Sequence, residues 1–146
     1  MGRYIIKREG HTATTGNDSL TIISAANRRC RVVEFTAVGQ GSSSAPQAFT
    51  LSRAPAGTTP GGAIVPSKSD HSDQPAAAFT TATTWAVQPV PETNGYVTGF
   101  NALGIPFSRA WQDGILEARN GECISIRAPA GQTPQACNFS VTVEED

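Results

Sequence analysis

Lysine, histidine, leucine and long apolar runs are scarce in this chain, and each shortage closes off a class of function. Lys7 and Lys68 are the only lysines, and 11 basic residues against 12 acidic ones leave a formal net charge of −1. That balance creates no long-range field to recruit nucleic acid or an anionic membrane, so neither is expected as a direct partner. No stretch approaches the ~20 apolar residues of a membrane span, and the start Met1-Gly2-Arg3-Tyr4-Ile5-Ile6-Lys7 lacks the apolar core of a signal peptide. Synthesis in a cytoplasm is the resulting expectation.

The chemistry-bearing residues are equally thin. His11 and His71 lie in separate polar stretches, and no His-x-His, His-Glu-x-x-His or calcium-loop spacing occurs. Asp70-His71-Ser72-Asp73 places an imidazole between carboxylates, but a metal site needs a rigid frame that nothing in this polar stretch of sequence enforces. Gly39-Gln40-Gly41-Ser42-Ser43-Ser44 matches neither a nucleophile elbow nor a phosphate loop and reads as a turn between strands. Cys30, Cys123 and Cys137 form no Cys-x-x-Cys pair. Buried free thiols are expected, with one long-range disulfide as the alternative. No catalytic residue, metal or cofactor is therefore assigned, and the chain is not expected to be an enzyme.

What is abundant is β-forming. Val and Ile total 18 against 4 Leu, and Thr, Ser, Asn and Gln carry the polarity. Such stiff, branched side chains suit a pleated surface and lose freedom in a helix. The phrase Arg53-Ala54-Pro55-Ala56-Gly57-Thr58-Thr59-Pro60 returns as Arg127-Ala128-Pro129-Ala130-Gly131-Gln132-Thr133-Pro134, each time after a short alternating run. Proline removes a ladder donor and glycine permits positive φ, so a strand ends twice in the same way. Runs of strand character occupy residues 3–9, 20–24, 31–38, 47–53, 83–89, 96–102, 107–112, 115–119, 122–128 and 137–144. Asp113-Gly114 and Asn120-Gly121 carry hairpin-turn chemistry and predict a three-stranded meander, with Arg119 facing Glu122 for a few tenths of a kcal/mol at most. A single turn of helix at most is expected near Ala25 to Arg28.

The chain length suits one domain, and the expected fold is an all-β, single-domain antiparallel β-sandwich, jelly-roll-like, over residues 1–146. A short N-terminal strand or arm is expected at 1–9, and a long exposed loop at 54–82, with a short strand at 63–65 as an option within it. Consecutive apolar residues in Arg3, Tyr4, Ile5 and Ile6 predict burial on both faces and hence a protein interface there. Arg28, Arg29 and Arg31 read as a solvated bend, and Glu144-Glu145-Asp146 as a solubilising terminus. Trp85, Trp111, Tyr4 and Tyr96 read as core or interface anchors, with stacking on sugars as the alternative.

The order of several phrases resembles a family. These are Arg3-Tyr4-Ile5-Ile6-Lys7, Arg31-Val32-Val33-Glu34-Phe35 ending in Gly39-Gln40, the stretch from Ser52-Arg53 to Gly61-Gly62-Ala63-Ile64, Thr84-Trp85, and Asn120-Gly121-Glu122-Cys123-Ile124-Ser125-Ile126-Arg127. In pattern they are similar to small β-sandwich virion proteins of tailed bacteriophages, in particular capsid decoration or cement proteins. The resemblance implies a jelly-roll-like structural protein on the outside of a phage head, bound to the major capsid protein lattice, self-associating as a homotrimer and without catalytic residues. Its localisation would be the virion surface. The alternative expectation is a carbohydrate-binding or host-adsorption module of a phage tail or fibre.

Overall fold

A computed structural model describes residues 2–69, 74–93, 95–104 and 106–146. Its strands are β1 (Gly2–His11), β2 (Asp18–Ile23), β3 (Arg29–Gly39), β4 (Pro46–Ala54), β5 (Thr58–Gly61), β6 (Ser67–Lys68), β7 (Thr80–Ala82), β8 (Thr84–Val87), β9 (Tyr96–Asn101), β10 (Phe107–Arg119), β11 (Cys123–Arg127) and β12 (Cys137–Glu145). One sheet runs β10-β3-β12-β1-β6 and the other β7-β2-β11-β4-β9, while β5 pairs with β8 alone. All pairings are antiparallel.

Without β5 to β8, the eight remaining strands alternate between the sheets along the chain, and only β4 and β9 follow one another within the same sheet. This is a jelly roll, as expected. The alternation of Phe139, Val141 and Val143 with Asn138, Ser140 and Thr142 puts the first set inside and the second outside. Phe35 and Phe139 come from the first sheet and Phe49 from the second, with ring centroids 5.0–6.0 Å apart, so the three rings join the sheets across the core. Each such ring contributes roughly 1.5–3 kcal/mol by leaving water.

The expected meander does not form. Ala110 pairs with Glu34 and Ile115 with Val32, so both halves of the presumed hairpin lie on one long partner, β3. Residues 111–114 are extruded as a bulge, with Gly114 at φ 70° and Leu116 at φ 57°. A β-carbon on Gly114 would lie 2.7 Å from Arg31 Cδ. The turn chemistry was real, but a partner long enough for both halves turned it into a bulge. Asn120-Gly121 does turn the chain with positive φ at both residues, and Glu122 N donates to Arg119 O at 2.9 Å. Its flanking strands then part, β10 into one sheet and β11 into the other. Arg119 reaches Glu117 with its guanidinium and gives only its backbone N–H to Glu122. Residues 25–28 form a turn, closed by Arg28 N donating to Ala25 O.

The connection between β4 and β9 holds β5 to β8 and wraps the sandwich. β6 pairs with β1 through Tyr4–Lys68 and Ile5–Ser67, and β7 pairs with β2. Residues 54–82 are thus more than an exposed loop, since Gln74 and Phe79 are buried and the added strands cover two sheet edges. The suggested strand at 63–65 is not one; the strand lies at Thr58–Gly61. β5 and β8 form a flap over the outer face of the second sheet, where Thr21, Ser52 and Ser125 are buried. Trp85 ties the flap down by donating from Nε1 to Thr21 Oγ1 at 2.9 Å. Gly57 allows the close approach, because a β-carbon there would sit 2.2 Å from Val87 O. The opposite side of the sandwich ends in β10 and β9, which have no outer neighbour among the described residues.

Candidate functional site

Beneath the flap lies a buried ionic knot. Asp18, whose side chain has no exposure, accepts from Arg127 Nε at 2.8 Å, Ser125 Oγ at 2.5 Å and Thr21 Oγ1 at 2.5 Å. Arg127 also donates to Gly16 O at 3.1 Å and Pro89 O at 2.8 Å. Its counterpart in the repeated phrase, Arg53, binds Glu92 at 2.8 Å. β4 and β11 are antiparallel neighbours, so the two phrases leave the sheet at opposite ends and each arginine fastens the segment that follows β8. The repeat is a pair of structural clamps.

Next to this knot opens a cleft of about 360 Å³. Arg8 and His11 come from the end of β1, Thr14 and Asn17 from the β1–β2 connection, and Thr84 and Trp85 from the flap, with Gln88 following it. Arg8 donates to Ser19 O at 2.5 Å and makes no ion pair with any described residue. Ser19 Oγ stands 2.8 Å from His11 Nε2, and Gln88 Oε1 accepts from Asp18 N at 2.9 Å. Burial, aided by the neighbouring Arg8 charge, lowers the His11 pKa to about 4. Burial likewise lowers the Arg8 pKa.

His11 thereby gives the fold a pH dependence. Its folded pKa lies below the ordinary 6.5, so the unfolded chain binds the proton first and stability falls as pH drops from about 6.5 towards 4. Discounted for solvent screening of a partly exposed ring, the loss is on the order of 1–2 kcal/mol. Chemical denaturation at pH 7 and pH 4.5 should resolve it, and His11→Gln should flatten that interval; an unchanged profile in the variant would refute the assignment.

The expected interface residues divide between two environments. Tyr4 and Ile6 are core residues, and Tyr4 OH donates to Pro75 O at 2.9 Å. Arg3 and Ile5 point outwards on the first sheet. Removing residues 1–6 would therefore excise core, so an interface must be probed there by point substitutions. Ser108, Thr36, Ser140 and Lys7 are aligned across four strands of the outer face around them. The flap lies over part of the other sheet's outer face, and among the described residues no such element lies over this one.

The terminal acids are built in. Glu145 accepts from Ala78 N at 2.9 Å and Phe79 N at 2.7 Å, and Glu144 sits between Arg3 and Arg31. Burial pushes Glu144 up, but hydrogen bonds and charge from the two arginines outweigh it and hold the carboxyl below its usual range. Arg29 binds Asp146, so two of the three clustered arginines serve the chain's own end. Sequence reasoning missed these contacts because every one spans more than 60 positions.

Among the aromatic candidates, Trp85 lines the cleft, whereas Trp111 and Tyr96 meet edge to face at 6.0 Å beside the open β9 and β10 edges. Arg109 lies over the Trp111 ring, and the Trp111 indole N–H is buried with no acceptor among the described residues. Tyr96 and Val97 are exposed, at 43% and 68%. All three cysteines are free and buried, and desolvation raises Cys30 to about 12 and Cys123 and Cys137 to about 11. Neutral thiols of that kind are inert. Asp70-His71-Ser72-Asp73 lies outside the described residues, which contain no metal-binding cluster of their own. No helix among them is long and apolar enough to cross a membrane.

No protein family, curated protein or solved structure matches this chain.

Proposed function

We propose that this chain is a structural virion protein that binds the outside of a phage capsid lattice and stabilises it, without turnover chemistry. The observation that carries the reading is the one-sided covering of the sandwich. Among the described residues, the chain's own insertion pairs with the β1 and β2 edges and covers the outer face of one sheet around Thr21, Ser52 and Ser125, while the other broad face and the β9 and β10 edges have no such cover. A module that must dock on neighbours keeps such surfaces free; a module alone in solution ordinarily blocks its edges with lysine or proline. The bare face carries Arg3 and Ile5 and suits a major capsid protein surface read by shape and hydrogen bonds. The open edges, with the unpaired Trp111 donor, suit contact between copies, as in the homotrimer that the phrase resemblance implies. Preference for one lattice state would stabilise that state by mass action.

Purified protein mixed with expanded, undecorated capsids should bind and raise their resistance to heating. Ser140→Glu, a charge placed in the middle of the bare face, should weaken that binding at least tenfold while leaving the unfolding transition in place. Wild-type protein that ignores such capsids, or a Ser140→Glu variant that binds them equally well, would refute the reading or this choice of face respectively.

A further inference from the structure

We propose that the cleft between the end of β1 and the flap binds a carboxylate-bearing saccharide. The inference stands apart from the lattice reading, because the cleft opens at the flap and not on the bare face. Three observations converge on it.

The first is charge. Arg8 is half-buried, spends one N–H on Ser19 O and has no carboxylate partner among the described residues. The titratable groups facing the cleft besides it are His11 and Asp18, and Asp18 is already matched by Arg127. The lining therefore presents a single uncompensated cation. A guanidinium with free N–H groups favours a carboxylate, which it can meet with two parallel hydrogen bonds. One cation fits one carboxylate better than a doubly charged phosphate.

The second is the wall. Trp85 is held by its Nε1 bond to Thr21, so its ring is already ordered before any ligand arrives. An ordered aromatic surface offers the apolar side of a sugar ring a contact that costs little conformational entropy. The third is the rim, where Thr14, Asn17, Thr83, Thr84 and Gln88 supply hydroxyls and amides for the hydroxyls of a pyranose. The volume, about 360 Å³, is within the ~300–1,000 Å³ of small-ligand sites and accommodates one or two sugar rings.

The probes are trigalacturonate against galactotriose and sialyllactose against lactose, titrated into the intact protein and followed by saturation-transfer NMR and by the histidine ring signals. At least one carboxylated sugar should bind, its neutral counterpart at least tenfold more weakly, and which of the two binds identifies the source of the carboxylate. Arg8→Gln should reduce binding tenfold or more with Arg8→Lys intermediate, and Arg28→Gln, which removes an exposed charge from the turn beyond the far end of β2, should leave sugar binding unchanged. In the wild-type protein the bound anion should raise the His11 titration above its free value of about 4, a readout that survives if Arg8→Gln fails to fold. No binding of either acid at millimolar concentration overturns the proposal, as does equal binding of neutral and charged sugars. Carboxylate binding that bypasses His11 or needs Arg28, and capture of an acidic peptide in preference to both sugars, overturn it as well.

Discussion

Arg127→Met is expected to destabilise the protein by about 3–5 kcal/mol, because it strips the only cation paired to it among the described residues from a carboxylate with no exposed surface. Asp18 would keep its bonds from Thr21 and Ser125, but two neutral hydroxyls do not replace a guanidinium bound at 2.6 Å. The same change frees Gly16 O and Pro89 O, so the cleft loop and the chain beyond the flap lose their common anchor. The double variant Asp18→Asn with Arg127→Met should recover much of the loss, since a buried pair removed as a unit leaves no charge stranded. Urea unfolding of the four proteins in the cycle measures this. A single-variant loss below about 1 kcal/mol would mean that water reaches the knot despite the flap.

Phe35→Ala carries the second large expectation, a loss of about 3–5 kcal/mol. Phe35 has no exposed surface and touches Phe139, Phe49 and Phe107, which come from three different strands. A cavity at that position removes contacts from both sheets at once, and the flanking strands cannot close it without breaking register. Against a typical total of roughly 5–15 kcal/mol, the variant should be close to unfolding at moderate temperature. Val38→Ala on the same strand faces outwards and should cost well under half as much. Comparable losses for the two would contradict the assignment of inner and outer faces on β3.

The sequence was a good guide wherever structure depends on neighbours in the chain. Alternation along residues 137–144 identified β12 and its buried face, and the Pro-Gly phrases marked where β4 and β11 stop. The abundance of Val and Ile against Leu was enough to call for sheets rather than helices. The candidate cleft was only partly legible. Trp85 was singled out as an aromatic able to meet a sugar, but nothing local marks Arg8, a charged residue in an alternating strand like many others.

Tertiary structure decided the rest, for one physical reason: the deciding partners are remote in sequence. Tyr4-Ile5-Ile6 reads as a two-faced apolar run, yet β12 pairing sends Tyr4 and Ile6 inwards and leaves Ile5 outside. Asp113-Gly114 has the residues of a hairpin, and the length of β3, more than 70 positions away, made it a bulge. Arg8 stands out only because the folded chain gives Asp18, the one carboxylate among the described residues lining its cleft, to Arg127. Local sequence determined which segments are strands and where they end; which edges are closed, which face is bare and which cation is left unpaired depended on contacts that exist only after the two sheets and the flap have packed.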